Sequence, residues 1–164
     1  MIKRIVLHWT AGTNQPSSAD YNHYHYMING DGLIVKGKHS VLDNENCNDG
    51  VYAAHTGGGN TGSIGIACCG MYGYTSPQKV GKYPLTKVQT EKMFEFTAQQ
   101  CKKYGLSISP DTVMTHYEFG KRNPKTSSAG KIDITYLPSY PSVNINNVGD
   151  FIRNKVKWYY NKQN

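Results

Sequence analysis

The sequence predicts a single α/β domain in which a central mixed β-sheet is flanked by helices. Three observations predict it. The chain has 164 residues, which suits one buried core. Short β-branched or small apolar runs recur at residues 2–9, 63–70 and 112–115, the lengths of buried strands. Two longer stretches, 86–104 and 148–160, carry helix start, stop or amphipathic signals instead.

In chain order, residues 2–9 read as a buried strand whose Ile5-Val6-Leu7 run leads to His8. A polar loop, 10–20, follows, where Ser17 or Ser18 is expected to cap a helical turn. Residues 24–29 and 33–35 form two strands around the turn signal Asn29-Gly30-Asp31-Gly32, hence a hairpin. Residues 41–50 are polar and irregular, 51–54 a candidate short strand, and 57–62 a glycine-rich loop. The SIGIACC run in 63–70 is small and apolar throughout, as in a central strand covered on both faces. A Gly, Pro and Tyr-rich loop covers 72–83.

The helix over 86–104 opens on Thr86 with Gln89 three residues later, a capping box, and stops at Gly105. Its expected inner face is Val88, Met93, Phe96 and Cys101. Residues 112–115 give a last strand before His116, and 123–130 a polar loop. In the terminal helix, Val148, Phe151, Ile152, Val156 and Tyr159 are expected to face inward. No repeat or linker divides the chain, so 1–164 is read as one catalytic domain.

Composition narrows the function classes. With 38% hydrophobic and 18% charged residues, the chain folds rather than staying disordered. The formal charge of +7 either serves solubility alone or favours polyanionic partners: nucleic acid, anionic lipid or bacterial wall polymers. The lysines are dispersed and no arginine-rich run or RNA-binding motif occurs, so no dedicated nucleic-acid partner is expected. Cys47, Cys68, Cys69 and Cys101 form no CxxC pair and read as free, mostly buried thiols suited to a reducing compartment. MIKRIVLHWT lacks the apolar core of a signal peptide, and no stretch reaches the ~20 apolar residues of a membrane span.

His8 and His116 each close a predicted strand, a rigid platform facing a rim of loops. Zinc uses neutral imidazole and carboxylate ligands, three from the protein plus water in a catalytic site. Taken singly, such a histidine is more often structural, and no HExxH or cysteine-rich zinc pattern is present. In Gly130-Lys131-Ile132-Asp133, residues two apart project to one side if the backbone is extended. Asp133 is then a third candidate ligand and Lys131 a candidate oxyanion stabiliser; a surface ion pair is the plainer reading of that segment alone.

The ordered set HWTAG, YHYMINGDGLIVKG, AAHTGGGNTGSIGIACCG, THYE and GKID resembles the type 2 N-acetylmuramoyl-L-alanine amidases. That family includes bacteriophage lysozyme-like amidases, wall-recycling amidases and peptidoglycan recognition proteins. The likeness runs from about Ile2 to Asp133. It implies the peptidoglycan recognition protein-like fold, a mixed sheet flanked by helices. It implies a zinc-dependent hydrolase cutting the amide bond between N-acetylmuramic acid and L-alanine. It places metal ligands on His8, His116 and Asp133, the transition-state lysine on Lys131 and a catalytic tyrosine on Tyr24. His55, Asn60 and Ser63 match residues expected to line and shape the substrate groove. His25 is expected to be structural, facing away from Tyr24.

Two features depart from the pattern. The loop after His8 lacks the long helix many relatives insert, and the loop between His116 and Lys131 is longer than in recycling enzymes. The resemblance and the compact chain lean towards a phage endolysin, held in the host cytoplasm until the membrane is permeabilised and then acting on the wall. A recycling amidase and a non-catalytic peptidoglycan-binding protein are the alternatives. A monomer is expected.

Overall fold

The computed structural model describes residues 1–162. Its elements are β1 (Arg4–Trp9), α1 (Asp20–His23), β2 (Tyr26–Ile28), β3 (Ile34–Lys36), β4 (Ser63–Cys68), α2 (Lys87–Tyr104), β5 (Val113–Thr115), α3 (His116–Arg122) and α4 (Val148–Lys162). They build the expected mixed sheet flanked by helices. Its five strands run in the order β3-β2-β4-β1-β5. β1 lies parallel to β4 and β5, β2 lies parallel to β4, and only the β2–β3 hairpin is antiparallel. The C-terminal ends of β1, β4 and β5 therefore share one edge, where an open α/β sheet leaves a crevice for ligands.

Parallel register puts paired residues on the same face, which divides the sheet chemically. Ile5, Leu7 and Trp9 of β1 and Ile64, Ile66 and Cys68 of β4 enter one large core with Met93, Phe94, Val148, Ile152 and Val156 of α2 and α4. On the other face Val6 packs with Met114 and Phe119, and the next residue on that side is His8. His8 pairs with Ala67, and Val6 with Gly65. The SIGIAC alternation thus puts large side chains under the helices and small ones beside His8. A Cβ on Gly65 would lie 2.5 Å from Cγ of His55, so the bare α-carbon is what admits that ring.

Local signals explain most element ends. Thr86 and Gln89 form the reciprocal capping box of α2, and Gly105 closes the helix in the left-handed conformation at φ 65°. Ser17, not Ser18, ties the start of α1: the Asp20 N–H donates to Ser17 Oγ and the Ser17 N–H to the Asp20 carboxylate.

Four local expectations are corrected. Residues 51–54 form no strand, because the Ala53 N–H and C=O bond the Asn44 side chain instead of a neighbouring strand. Within 41–50, Val41–Glu45 is a 3-10 turn with a Ser40–Asp43 capping box. Val88 is 54% exposed; the buried face of α2 starts at Gln89, whose amide reaches Ile28 O and Cys69 O across the sheet. His116 does not end a strand but begins α3, because Thr115 and Glu118 form a capping box inside THYE. The four cysteines are free, three of them buried.

Candidate metal centre and cleft

His8, the penultimate residue of β1, is held by two parallel neighbours. His116 is the first residue of α3, immediately after β5. Asp133 arrives on the loop beyond Gly130, ahead of Ile134, whose φ of 64° is a strained conformation for a β-branched residue. Complete burial of Ile134 in the main core holds that bend and aims Asp133 inward. The three side chains meet as a buried cluster. His8 Nδ1 lies 3.1 Å from His116 Nδ1 and 2.9 Å from Asp133 Oδ2, and the third edge, His116 Nδ1 to Asp133 Oδ2, is 3.1 Å.

The surrounding bonds decide where the imidazole protons sit. Ser128 Oγ donates to the Gly57 carbonyl at 2.8 Å, so it accepts the Nε2 proton of His116 at 2.9 Å. His55 Nε2 donates to the Ser63 carbonyl at 3.3 Å, leaving His55 Nδ1 as an acceptor. That nitrogen lies 3.1 Å from His8 Nε2, with Thr56 Oγ1 bridging the pair. His8 therefore carries its proton on Nε2. Both histidines then turn an Nδ1 lone pair towards the same point as a carboxylate oxygen. Three acceptors about 3 Å apart repel one another unless a cation lies among them.

The donor set fits zinc. Tetrahedral sites with bonds of about 2.0–2.1 Å separate their ligand atoms by ~3.3–3.4 Å, slightly wider than the edges seen. Bonds to the far nitrogen of each histidine are the usual means of fixing tautomer and ring orientation at such sites. Burial pushes His8 down to about 4, helped by His116 and Lys131 and opposed by Asp133, so the ring is neutral at physiological pH. Burial likewise holds His55 well below its usual value. Burial alone would raise Asp133, but the adjoining His116 and His8 outweigh it and hold the carboxyl below its usual range.

His116 and Asp133 of the cluster line a cleft of about 560 Å³, whose walls include Trp9, Tyr24, Asn60, Lys131 and Ile132. Lys131 is exposed on its rim. Tyr24 packs its ring 5.2 Å from that of His8, and burial, reinforced by Asp133 and Asp20, raises its phenol well above the usual range. The hydroxyl stays protonated at neutral pH and can donate a hydrogen bond.

The groove residues divide. Asn60 borders the cleft, but its side-chain oxygen accepts from the His55 and Thr56 backbone N–H groups and shapes the loop. His55 reaches the cleft wall while its ring supports His8 from behind. Ser63 is corrected: it is fully buried, its hydroxyl bonded to the Gly59 carbonyl and to Arg4, so it cannot touch a substrate. His25 is structural as expected, accepting from the Gly65 N–H and donating to Asn44. Asp111 lies on the surface beside Arg122, away from the cluster.

Sequence reading missed Ser128 and Thr56. Ser128 sits 12 residues from its partner His116, and only the folded 123–130 loop brings them together. The glycine run after His55 was the available hint. A Cβ on Gly57 would fall 1.8 Å from Ser127 Oγ, so the run lets the two loops touch behind the histidines.

A family model described as N-acetylmuramoyl-L-alanine amidase matches residues 1–131. No curated protein matches the chain. Among solved structures, the hydrolase AmiA of Staphylococcus aureus is similar at 20% identity over 97% of this chain and 76% of that one, with a TM-score of 0.60. PlyL is similar at 16% identity over 94% and 83%, TM-score 0.54. LysCS of Clostridium intestinale, an endolysin N-acetylmuramoyl-L-alanine amidase, is similar at 19% identity over 77% and 74%, TM-score 0.50. At these identities the likeness concerns the fold.

Proposed function

The chain belongs to the N-acetylmuramoyl-L-alanine amidase family, and from that premise we propose that it is a zinc-dependent hydrolase of the bond between N-acetylmuramic acid and the first L-alanine of the stem peptide. One observation carries the reading: three buried acceptor atoms from His8, His116 and Asp133 converge beneath an open cleft that His116 and Asp133 line.

His8, His116 and Asp133 would hold the ion. Bound there, zinc would polarise the scissile carbonyl and bring the pKa of a coordinated water to about 7. The chain's own residues do the rest. Lys131, on the rim beside Asp133, offers a positive charge where the amide oxygen gains negative charge. Tyr24, kept protonated by burial, donates a hydrogen bond from the opposite wall and orients substrate or water; its raised pKa removes it as a general base. The His55–Thr56 and Ser128 bonds hold both ligand rings in a single tautomer. Ile132, exposed on the cleft, supplies an apolar wall for the alanine methyl.

For the biological setting we favour a phage endolysin over a wall-recycling amidase. The solved relative LysCS carries that description. The net charge of +7 suits adsorption to an anionic envelope. Among the described residues no helix is long and apolar enough to cross a membrane.

The test is mass spectrometry of digested peptidoglycan with zinc present and after chelation. Intact glycan strands and stem peptides with a free L-alanine amine, formed only with metal, are expected. Disaccharide products, or undiminished cleavage after chelation, would refute the assignment. Faster turnover of intact sacculi than of soluble anhydro-muropeptides is expected of the endolysin role; the reverse order would favour recycling.

A further inference from the structure

α4 begins beyond the family match, which stops at residue 131, yet it reaches the element carrying His116. Arg153, in the middle of α4, is buried although charged. Its guanidinium meets Glu118 in a two-pronged pair, Nη1 to Oε1 and Nη2 to Oε2, both at 3.0 Å. Nη1 also donates to the Val113 carbonyl on β5 at 2.9 Å, and Nη2 to the exposed Asp150 at 3.0 Å. Glu118 is the reciprocal half of the capping box: its Oε1 accepts from the Thr115 N–H at 3.0 Å, and Thr115 Oγ1 accepts from the Glu118 N–H at 3.1 Å. A Cβ on Gly149 would lie 2.3 Å from Glu118 Oε2, so the first turn of α4 presses directly on the carboxylate.

The consequence falls on His116. His116 stands between Thr115 and Glu118, the two residues the clamp fixes. Its Cα position and ring direction are set by where α3 starts. Arg153 ties that start to β5 through Val113 and to α4 through its own helix. A planar guanidinium holds both carboxylate oxygens at once, which a lysine ammonium cannot do. Burial without such pairing would be strongly unfavourable, so the arrangement requires each partner to stay in place.

We propose that Arg153 is a positioning residue for the metal centre, acting through Glu118 on His116. The proposal rests on the zinc reading above. It makes the terminal helix part of the scaffold of the metal centre as well as a cover for the core.

The experiment compares zinc affinity, by competition with a chromophoric chelator, with thermal stability in R153M, R153K, E118Q and V156A. Val156 is buried in the main core and serves as a stability control. Partners that orient metal ligands commonly change metal affinity by about 10–100-fold when removed. R153M and E118Q are expected to weaken zinc binding by that range while far-ultraviolet circular dichroism stays unchanged below the melting transition. R153K should recover part of the loss. V156A should melt earlier with zinc affinity as in the wild type. Wild-type affinity in R153M or E118Q, or an equal affinity loss in V156A, would overturn the proposal. If R153M does not fold, E118Q alone decides. A wild-type protein that holds no zinc would instead sink the functional reading itself.

Discussion

The two faces of the sheet obey different rules although the same strands build both. On the α2/α4 face, Ile5, Leu7, Ile64, Ile66, Phe94 and Ile152 form an apolar core, stabilised in proportion to the area taken from water. On the opposite face near the strand ends, His8, His25, His55, Thr56, His116, Ser128 and Asp133 are all buried polar groups. Burying them costs stability unless every one is bonded. They are bonded, except that three lone pairs are left facing each other. One face is what folding alone requires; on the other, folding alone leaves three acceptor atoms without a donor.

That contrast can be broken by substitution. The largest effect is expected from His8→Ala or Asp133→Ala. Amidase activity should fall to background and zinc content, measured by elemental analysis, should be lost, while the fold persists because the main core is untouched. Retained zinc at wild-type stoichiometry would show that the cluster is not the site.

Lys131→Ala should separate chemistry from metal binding. A donor aimed at a developing oxyanion is worth about 3–4 kcal/mol, so turnover should drop ~10²–10³-fold with zinc content unchanged. Parallel loss of both would assign Lys131 to the metal site instead.

Leu7→Ala makes the converse cut, one residue before His8 but on the other face. Loss of the buried side chain should destabilise by about 2–5 kcal/mol in urea unfolding. Zinc affinity of the folded protein should be little changed, and a large loss of affinity would show the faces to be coupled.

The smallest effect is in pH dependence. Burial lowers His25 from 6.5 to about 4, against the raising effect of the hydrogen bond it donates to Asn44. Above 6.5 the ring is neutral folded or unfolded, and the group favours neither state. Between 6.5 and about 4 only the unfolded chain takes up the proton, so stability falls as pH falls. The slope is about 1.4 kcal/mol per pH unit for one group. In metal-free protein, His25→Gln should flatten the measured slope by roughly that amount. An identical slope in both proteins would mean that His25 is protonated in the fold.

The legibility of the two faces also differed. The main core was written in local patterns: the β-branched run of β1, the capping box and Gly105 of α2, and the spacing of Val148, Ile152 and Val156. Val88 misled because an apolar residue in the first turn of a helix need not face the core. On the polar face, His8, His116 and Asp133 were named through ordered motifs, since no single spacing distinguishes a ligand from a satisfied histidine. Ser63 was misplaced because it shares the face of Gly65 and Ala67 but pairs with Arg4 at the end of β1 far from His8, where Arg4 and the Gly59 carbonyl cover it, a fact that needs the register. Ser128 and Arg153 were unreadable, because each acts through a partner that only folding brings near. The start of α3 is legible in THYE, where Thr115 and Glu118 have the spacing of a capping box, although the apolar run before His116 reads as a strand.

The central claim is a cation held by three named atoms. Anomalous diffraction from zinc-grown crystals, recorded on both sides of the zinc absorption edge, tests it directly. The account predicts one strong peak about 2.0–2.2 Å from His8 Nδ1, His116 Nδ1 and a carboxylate oxygen of Asp133. No peak there, or a peak bound by other residues, would contradict it.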